Sequence, residues 1–282
     1  MYGHALTLEG FVSPNENLPV FRDDKRLTKG SLLLIDFSHP SMGNTIPANN
    51  SYVKNLAGVE AKALLNTTDD TKVNPRVVNT ITQTGGLMEL TSKKGLHGII
   101  SQVNDVNVGN EYQFIVPLEM YNYIATNISH GFMVSVWDKK TRLATQPIGA
   151  DFVLGISNTA NYISTMQTGG ADAIGKNLGQ YGNANTLNST NIECNIVGFS
   201  QATGTPTNAE FGRMYKFGSG SVYSSYELNK ANSKVLYTIH IMDLQVAGLT
   251  FEQAKEKELI FFNEAKSGRF ANDTFTSPSA LA

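Results

Sequence analysis

The chain has 282 residues, and its 22 lysines and arginines nearly balance 24 aspartates and glutamates, leaving a net charge of −2 with 16% charged residues. So sparse and balanced a charge excludes a general nucleic-acid binder, which carries a basic excess to neutralise phosphates. The single cysteine, Cys194, excludes an intrachain disulfide framework, and the longest aliphatic run, Leu32 to Ile35, falls far short of the roughly 20 residues that cross a bilayer.

Asparagine, threonine, serine and glycine supply much of the polarity, which suits a loop-rich β protein with a neutral, hydrogen-bonding surface. The opening "MYGHALTLEGFVSPNENLPVF" has neither a basic n-region nor an apolar h-region, so a soluble protein made in a cytoplasm is expected. Residues 1–29 hold three apolar clusters between polar, proline-containing pieces. They read as an extended N-terminal arm of the kind that docks on a neighbouring subunit.

From Ser31 the pattern turns to strands. "SLLLIDFSH" is a buried run bounded by polar turns, and "SHPSMGNTIPANNSY" has loop chemistry. "VEAKALLN" fits a short helix or a strand equally well. Residues 76–136 then give strand after strand: "RVVNTITQ", "LMELTS", "GLHGIISQV" after the turn-like "KKG", and "EYQFIVPL" with Tyr112, Phe114 and Val116 on one face. "YNYIATNIS" is read as continuing the series. In "GFMVSVWDKKTRLA", Phe132, Val134 and Val136 alternate against Met133, Ser135 and Trp137. Short connections without helical crossovers imply antiparallel pairing.

Residues 155–222 are rich in Gly, Asn and Thr and read as a long excursion, with "NIECNIVGFS" and "GRMYKFGS" as strands inside it. "KVLYTIHIMDLQV" alternates cleanly, Tyr237, Ile239 and Ile241 against Thr238, His240 and Met242. The period then changes. Thr250 followed by Gln253 is a capping box, Leu249 is placed to staple onto Ala254, and a helix should run through "FEQAKEKELIFFNEA" to Gly268, with Phe251, Ala254, Phe261, Phe262 and Ala265 on one side. The fold expected is mainly β: an antiparallel jelly-roll sandwich over residues 30–248, an arm before it, and one helix with a tail over 249–282.

Catalytic chemistry finds little purchase. His4, His39, His97, His130 and His240 lie at no metal-ligand spacing, and none sits near Cys194. "GFSQA" lacks the last glycine of a nucleophile elbow, so Ser200 reads as an ordinary serine. No phosphate-binding or calcium loop is present, and no cofactor is expected. Glu89 and Asp138 fall in strand-like stretches, but sequence cannot place two acids across a groove as glycoside hydrolysis requires. Trp137, the only tryptophan, stands beside Asp138 and near Arg142. The three are the candidate ligand site: an indole that stacks on a sugar ring while charged groups bond its hydroxyls. The competing reading is an indole that fills core space.

Three strings resemble a known family. "SLLLIDFSHP … IPANNSYVKNLAG" looks like the opening of laminin-G or concanavalin-like jelly rolls in bacteriophage virion proteins. "ISHGFMVSVWDKKTR" is similar to their central strand, and "LYTIHIMDLQVAGLTFEQAKEKELIFFNEAKSGRFANDTFTSP" to their closing strand, helix and tail, here Gly268, Arg269, Phe270, Asp273, Thr274, Thr276 and Pro278. The resemblance implies a non-enzymatic virion component, in tail, fibre or head decoration. Its partners would be other virion proteins and further copies of itself, with a host surface glycan as the alternative ligand and neither nucleic acid nor membrane insertion. A polysaccharide depolymerase is the least favoured reading.

Overall fold

The computed structural model describes residues 24–79, 85–100, 112–143, 151–157, 162–168, 177–182, 191–202, 213–217 and 232–281, with the strands at 151–157, 162–168 and 213–217 described by their backbone. The expected arm up to residue 23, the end of the "RVVNTITQ" run and much of the Gly/Asn/Thr-rich stretch lie outside these residues. In chain order the elements are β1 (Ser31–Asp36), α1 (Gly58–Leu64), β2 (Arg76–Asn79), β3 (Leu87–Leu90), β4 (Leu96–Ile99), β5 (Tyr112–Ile115), α2 (Leu118–Thr126), β6 (Phe132–Arg142), β7 (Asp151–Ser157), β8 (Tyr162–Thr168), β9 (Gly179–Tyr181), β10 (Ile192–Phe199), β11 (Arg213–Phe217), β12 (Ser233–Asp243), α3 (Leu244–Ala247) and α4 (Phe251–Ser267).

All the strand pairings described are antiparallel, and they form two sheets. The larger runs β3-β4-β12-β6-β10-β9, with β1 also on β12. β4 and β1 lie end to end along one edge of β12, against Lys234–Leu236 and Thr238–Met242 respectively. The smaller sheet runs β2-β5-β11-β7-β8.

The core explains the layering. Val134, Val136, Val197, Phe199, Ile239 and Ile241 of the large sheet meet Val77, Tyr112 and Phe114 of the small one, together with Met120, Tyr121 and Ile124 of α2. On the opposite face, Met133, Trp137, Cys194, Ile196, Val235 and Tyr237 pack against Phe251, Ala254, Phe262 and Ala265 of α4. The molecule is thus a sandwich with a helix laid on the outer face of its larger sheet. Phe251 comes so close that a Cβ on Gly198 would lie 2.3 Å from its ring, so only glycine fits there.

α4 ends where its sequence signals place it: Thr250 and Gln253 make both bonds of the capping box, and Gly268 is the C-cap. Three expectations need correction. The fold has four helices rather than one, and α2 occupies the stretch read as a continuing strand. Its Tyr121 and Ile124 are buried three residues apart while Asn122 and Ala125 are exposed, a helical spacing that its aromatic and β-branched residues disguise. "VEAKALLN" resolves as α1. The third correction lies in β12: an irregularity between Leu236 and Thr238 changes the strand's phase. Tyr237 therefore faces α4 and the tail, while Ile239 and Ile241 face the sandwich.

Candidate functional site

The outer face of the large sheet carries the densest chemistry. Arg26, just before β1, is 4% exposed and plugs into the core. Its guanidinium donates to Asp24 at 2.8 and 3.0 Å, to Asp36 at 2.5 Å and to the Thr238 hydroxyl at 3.1 Å, and lies 5.1 Å above the Trp137 ring. Arg269, after α4, donates to the same Asp36 oxygen at 2.6 Å. Burial alone would push the Asp24 carboxyl up, but the Arg26 guanidinium outweighs it and holds the group at about 2. The segment that leads into β1 and the segment that leaves α4 are therefore tied to one buried carboxylate.

A second tie joins α4 to β12. Glu258 accepts from His240 Nδ1 at 3.0 Å, and His240 Nε2 lies 3.2 Å from the Ser31 hydroxyl. Burial opposes ionisation of Glu258, yet His240 and Arg26 outweigh it and lower the carboxyl below its ordinary range. A third tie holds the tail. His97 Nδ1 lies 2.8 Å from Glu89, and Nε2 lies 2.8 Å from the Thr141 hydroxyl. Glu89 also accepts from the Thr276 N–H and hydroxyl at 2.7 and 2.8 Å, and Phe275 packs on the imidazole at 4.8 Å. Burial pushes His97 below its ordinary value, so the neutral ring donates from Nδ1 to Glu89 and accepts the Thr141 proton at Nε2. Asp273 adds bonds from Tyr237, Ser92 and the Lys93 N–H.

The three residues expected to bind a ligand do not share a surface. Trp137 is 0% exposed; its indole N–H donates to Ser135 and its ring meets Phe262 edge-on at 5.4 Å. Asp138, 1% exposed, is on the opposite, sandwich-facing side of β6. Arg142 donates to the carbonyls of Ile100 and Pro278. Ser200 takes up Asn177, its N–H donating at 2.9 Å and its hydroxyl accepting at 2.8 Å. Among the described residues, no three His, Cys, Asp or Glu side chains gather as a metal cage, and no helix is long and apolar enough to cross a membrane.

A cleft of about 390 Å³ opens beside Arg26, lined by Asp24, Lys25, Arg26, Phe261, Glu264, Ala265 and Arg269. Its charges are engaged in pairs across it, Lys25 with Glu264, Arg26 with Asp24 and Arg269 with Asp36. The arrangement fastens chain segments together. Sequence reasoning missed Arg26, Asp36 and Glu258. Only Glu258 left a signal: it sits four residues from both Ala254 and Phe262, an acid inside the apolar stripe of α4.

No protein-family model and no curated protein sequence matches the chain. Solved structures with a similar course of chain include a Trypanosoma rangeli sialidase in complex with 2-keto-3-deoxy-D-glycero-D-galacto-2,3-difluoro-nononic acid. It is 9% identical over 82% of this chain and 33% of the sialidase, with a TM-score of 0.37. A second Trypanosoma rangeli sialidase structure is 8% identical over 82% and 33%, with a TM-score of 0.33. The chain spans about a third of the length of these proteins. Likeness at this level says nothing of what the chain does.

Proposed function

We propose that this chain is a non-enzymatic structural and interaction component of a bacteriophage particle, displaying a concanavalin-like jelly-roll sandwich and assembling with other virion proteins and with copies of itself. The family resemblance of the strand, helix and tail strings supports this reading. The observation that carries it is the outer face of the large sheet. There the groups best suited to chemistry, Arg26, Asp36, His240, Glu258, His97 and Glu89, are consumed in holding the entry segment, α4 and the tail in place. A sugar platform at Trp137, Asp138 and Arg142 would require Arg26 and α4 to move aside, because the indole has no exposed surface.

The test is to purify intact particles from a culture that produces this chain and look for it by peptide mass spectrometry and by immunogold labelling. Stoichiometric recovery with particles and labelling at a fixed position is expected. Recovery in the soluble lysate, with none on particles, would overturn the proposal.

A further inference from the structure

The sandwich-facing side of β6, β10 and β12 changes character along its length. Val134, Val136, Val197, Ile239 and Ile241 occupy one end. Asp138, Lys140, Glu193 and Lys234 occupy the other, two cations and two anions set as a checkerboard. Lys234 stands directly across from Lys140, and Glu193 directly across from Asp138. Like charges placed opposite one another on adjacent strands repel, and here three of the four residues are out of water: Lys140 is 2% exposed, Asp138 and Lys234 1% each. Across the diagonal, Lys140 Nζ lies 3.5 Å from Glu193 Oε2. That is close to the approach distance of a reacting pair, and a buried amine beside a carboxyl group is the arrangement in which lysine acts as a nucleophile.

We propose that Lys140 and Glu193 condense into an intramolecular isopeptide bond joining β6 to β10. The ammonium of Lys140 gives one proton to Asp138, which shares its strand face and lies across from Glu193. Glu193 reacts as the neutral acid, its carboxyl carrying the second proton that the ammonium and carboxylate together supply. The Nζ lone pair attacks Cδ, the Cδ–OH bond breaks, and the hydroxyl leaves as water with the proton Asp138 carries. One C–N bond forms, one C–O bond breaks, no electron changes hands, and no co-reactant is needed. Glu193 keeps 21% of its side chain exposed, which gives the water a way out. The charge pattern favours this pair in particular. Condensation neutralises one member of each like-charged couple and leaves Lys234 and Asp138, one cation and one anion. The bond would close the chain from residue 140 to residue 193 into a loop, whatever the role of the protein.

The full chain, produced recombinantly, denatured and weighed intact, should be one water lighter than its sequence. A protease digest should contain one branched peptide joining the segment with Lys140 to the segment with Glu193. Lys140→Arg and Glu193→Ala should restore the full mass, and Asp138→Asn should let the lighter species accumulate only slowly. Full mass in folded wild-type protein after days at neutral pH would overturn the proposal. So would a lighter mass with no joined peptide. Both readings come from the wild-type chain and stand even where a variant fails to fold.

Discussion

On β6, Val134 and Val136 point into the sandwich, while Met133, Ser135 and Trp137 point toward α4, so neighbours along one strand meet two different covers. The inner cover is the small sheet with α2, and in its apolar part it meets the strands through Val, Ile, Phe and Tyr. The outer cover is one helix and a length of tail, held by apolar contacts and by three sets of buried polar ties. The difference is instructive. Apolar burial is non-directional and tolerates sliding, whereas a charge out of water is stable only opposite its partner. A broad sheet can be positioned by hydrogen-bonded strands and area. A lone helix and a tail need fixed pairings to set where they rest.

The sharpest way to break this comparison is Asp36→Ala. It removes the carboxylate shared by Arg26 and Arg269, and breaking a buried pair costs about 3–5 kcal/mol. Urea unfolding should show a loss of that size; a loss below about 1 kcal/mol would mean that the outer ties are ornamental. Trp137→Ala should cost a similar ~3–5 kcal/mol as a core truncation, and it should do so with or without any glycan in solution. On the inner face, Ile239→Ala should cost about 2–5 kcal/mol by cavity formation alone, with no dependence on pH between 5 and 8 beyond that of the parent.

Acid should erode the outer face selectively. His97 binds protons less readily when folded than when unfolded, so its contribution is present at pH 7 and is lost as pH falls below about 6.5. Glu89, Glu258 and Asp24 have lowered values in the folded state, so their contributions hold above the ordinary carboxylate range and are lost as pH falls through it, Asp24 last at about 2. Thermal melting should therefore decline from pH 6.5 downward, and His97→Gln should remove the upper part of that decline. The smallest effect expected is at the helix start: Thr250→Ala removes the cap bond to Gln253 and should cost about 1 kcal/mol by thermal denaturation.

Much of this architecture can be seen in the residues. The alternation of β6 and the capping box of α4 are local patterns, and both elements occur as those patterns require. α2 was hidden because no side chain caps its start and its Tyr and Ile residues favour strands equally. The ties were hidden for a different reason. Alternation reasoning sends polar residues to solvent, but this sheet is covered on both sides, so Thr238, His240, Asp138 and Lys140 are buried as thoroughly as their apolar neighbours. Arg26 is drawn from a segment that reads as a loose arm, and its partners Asp36 and Thr238 lie on two strands far apart in sequence. The position of Trp137 was equally undecidable until α4 brought Phe262 against it.

The phase change in β12 has a consequence for how this chain can vary. Up to Leu236 the even-numbered residues look into the sandwich; from Ile239 the odd-numbered ones do. Removing Tyr237 would therefore not merely shorten the strand. It would invert everything beyond that point, turning His240 toward the oily side and sending Ile239 and Ile241 to face a helix that offers Glu258. Substitutions along β12 are ordinary wounds that repacking can mend, but a change of length there is a frameshift written in side chains.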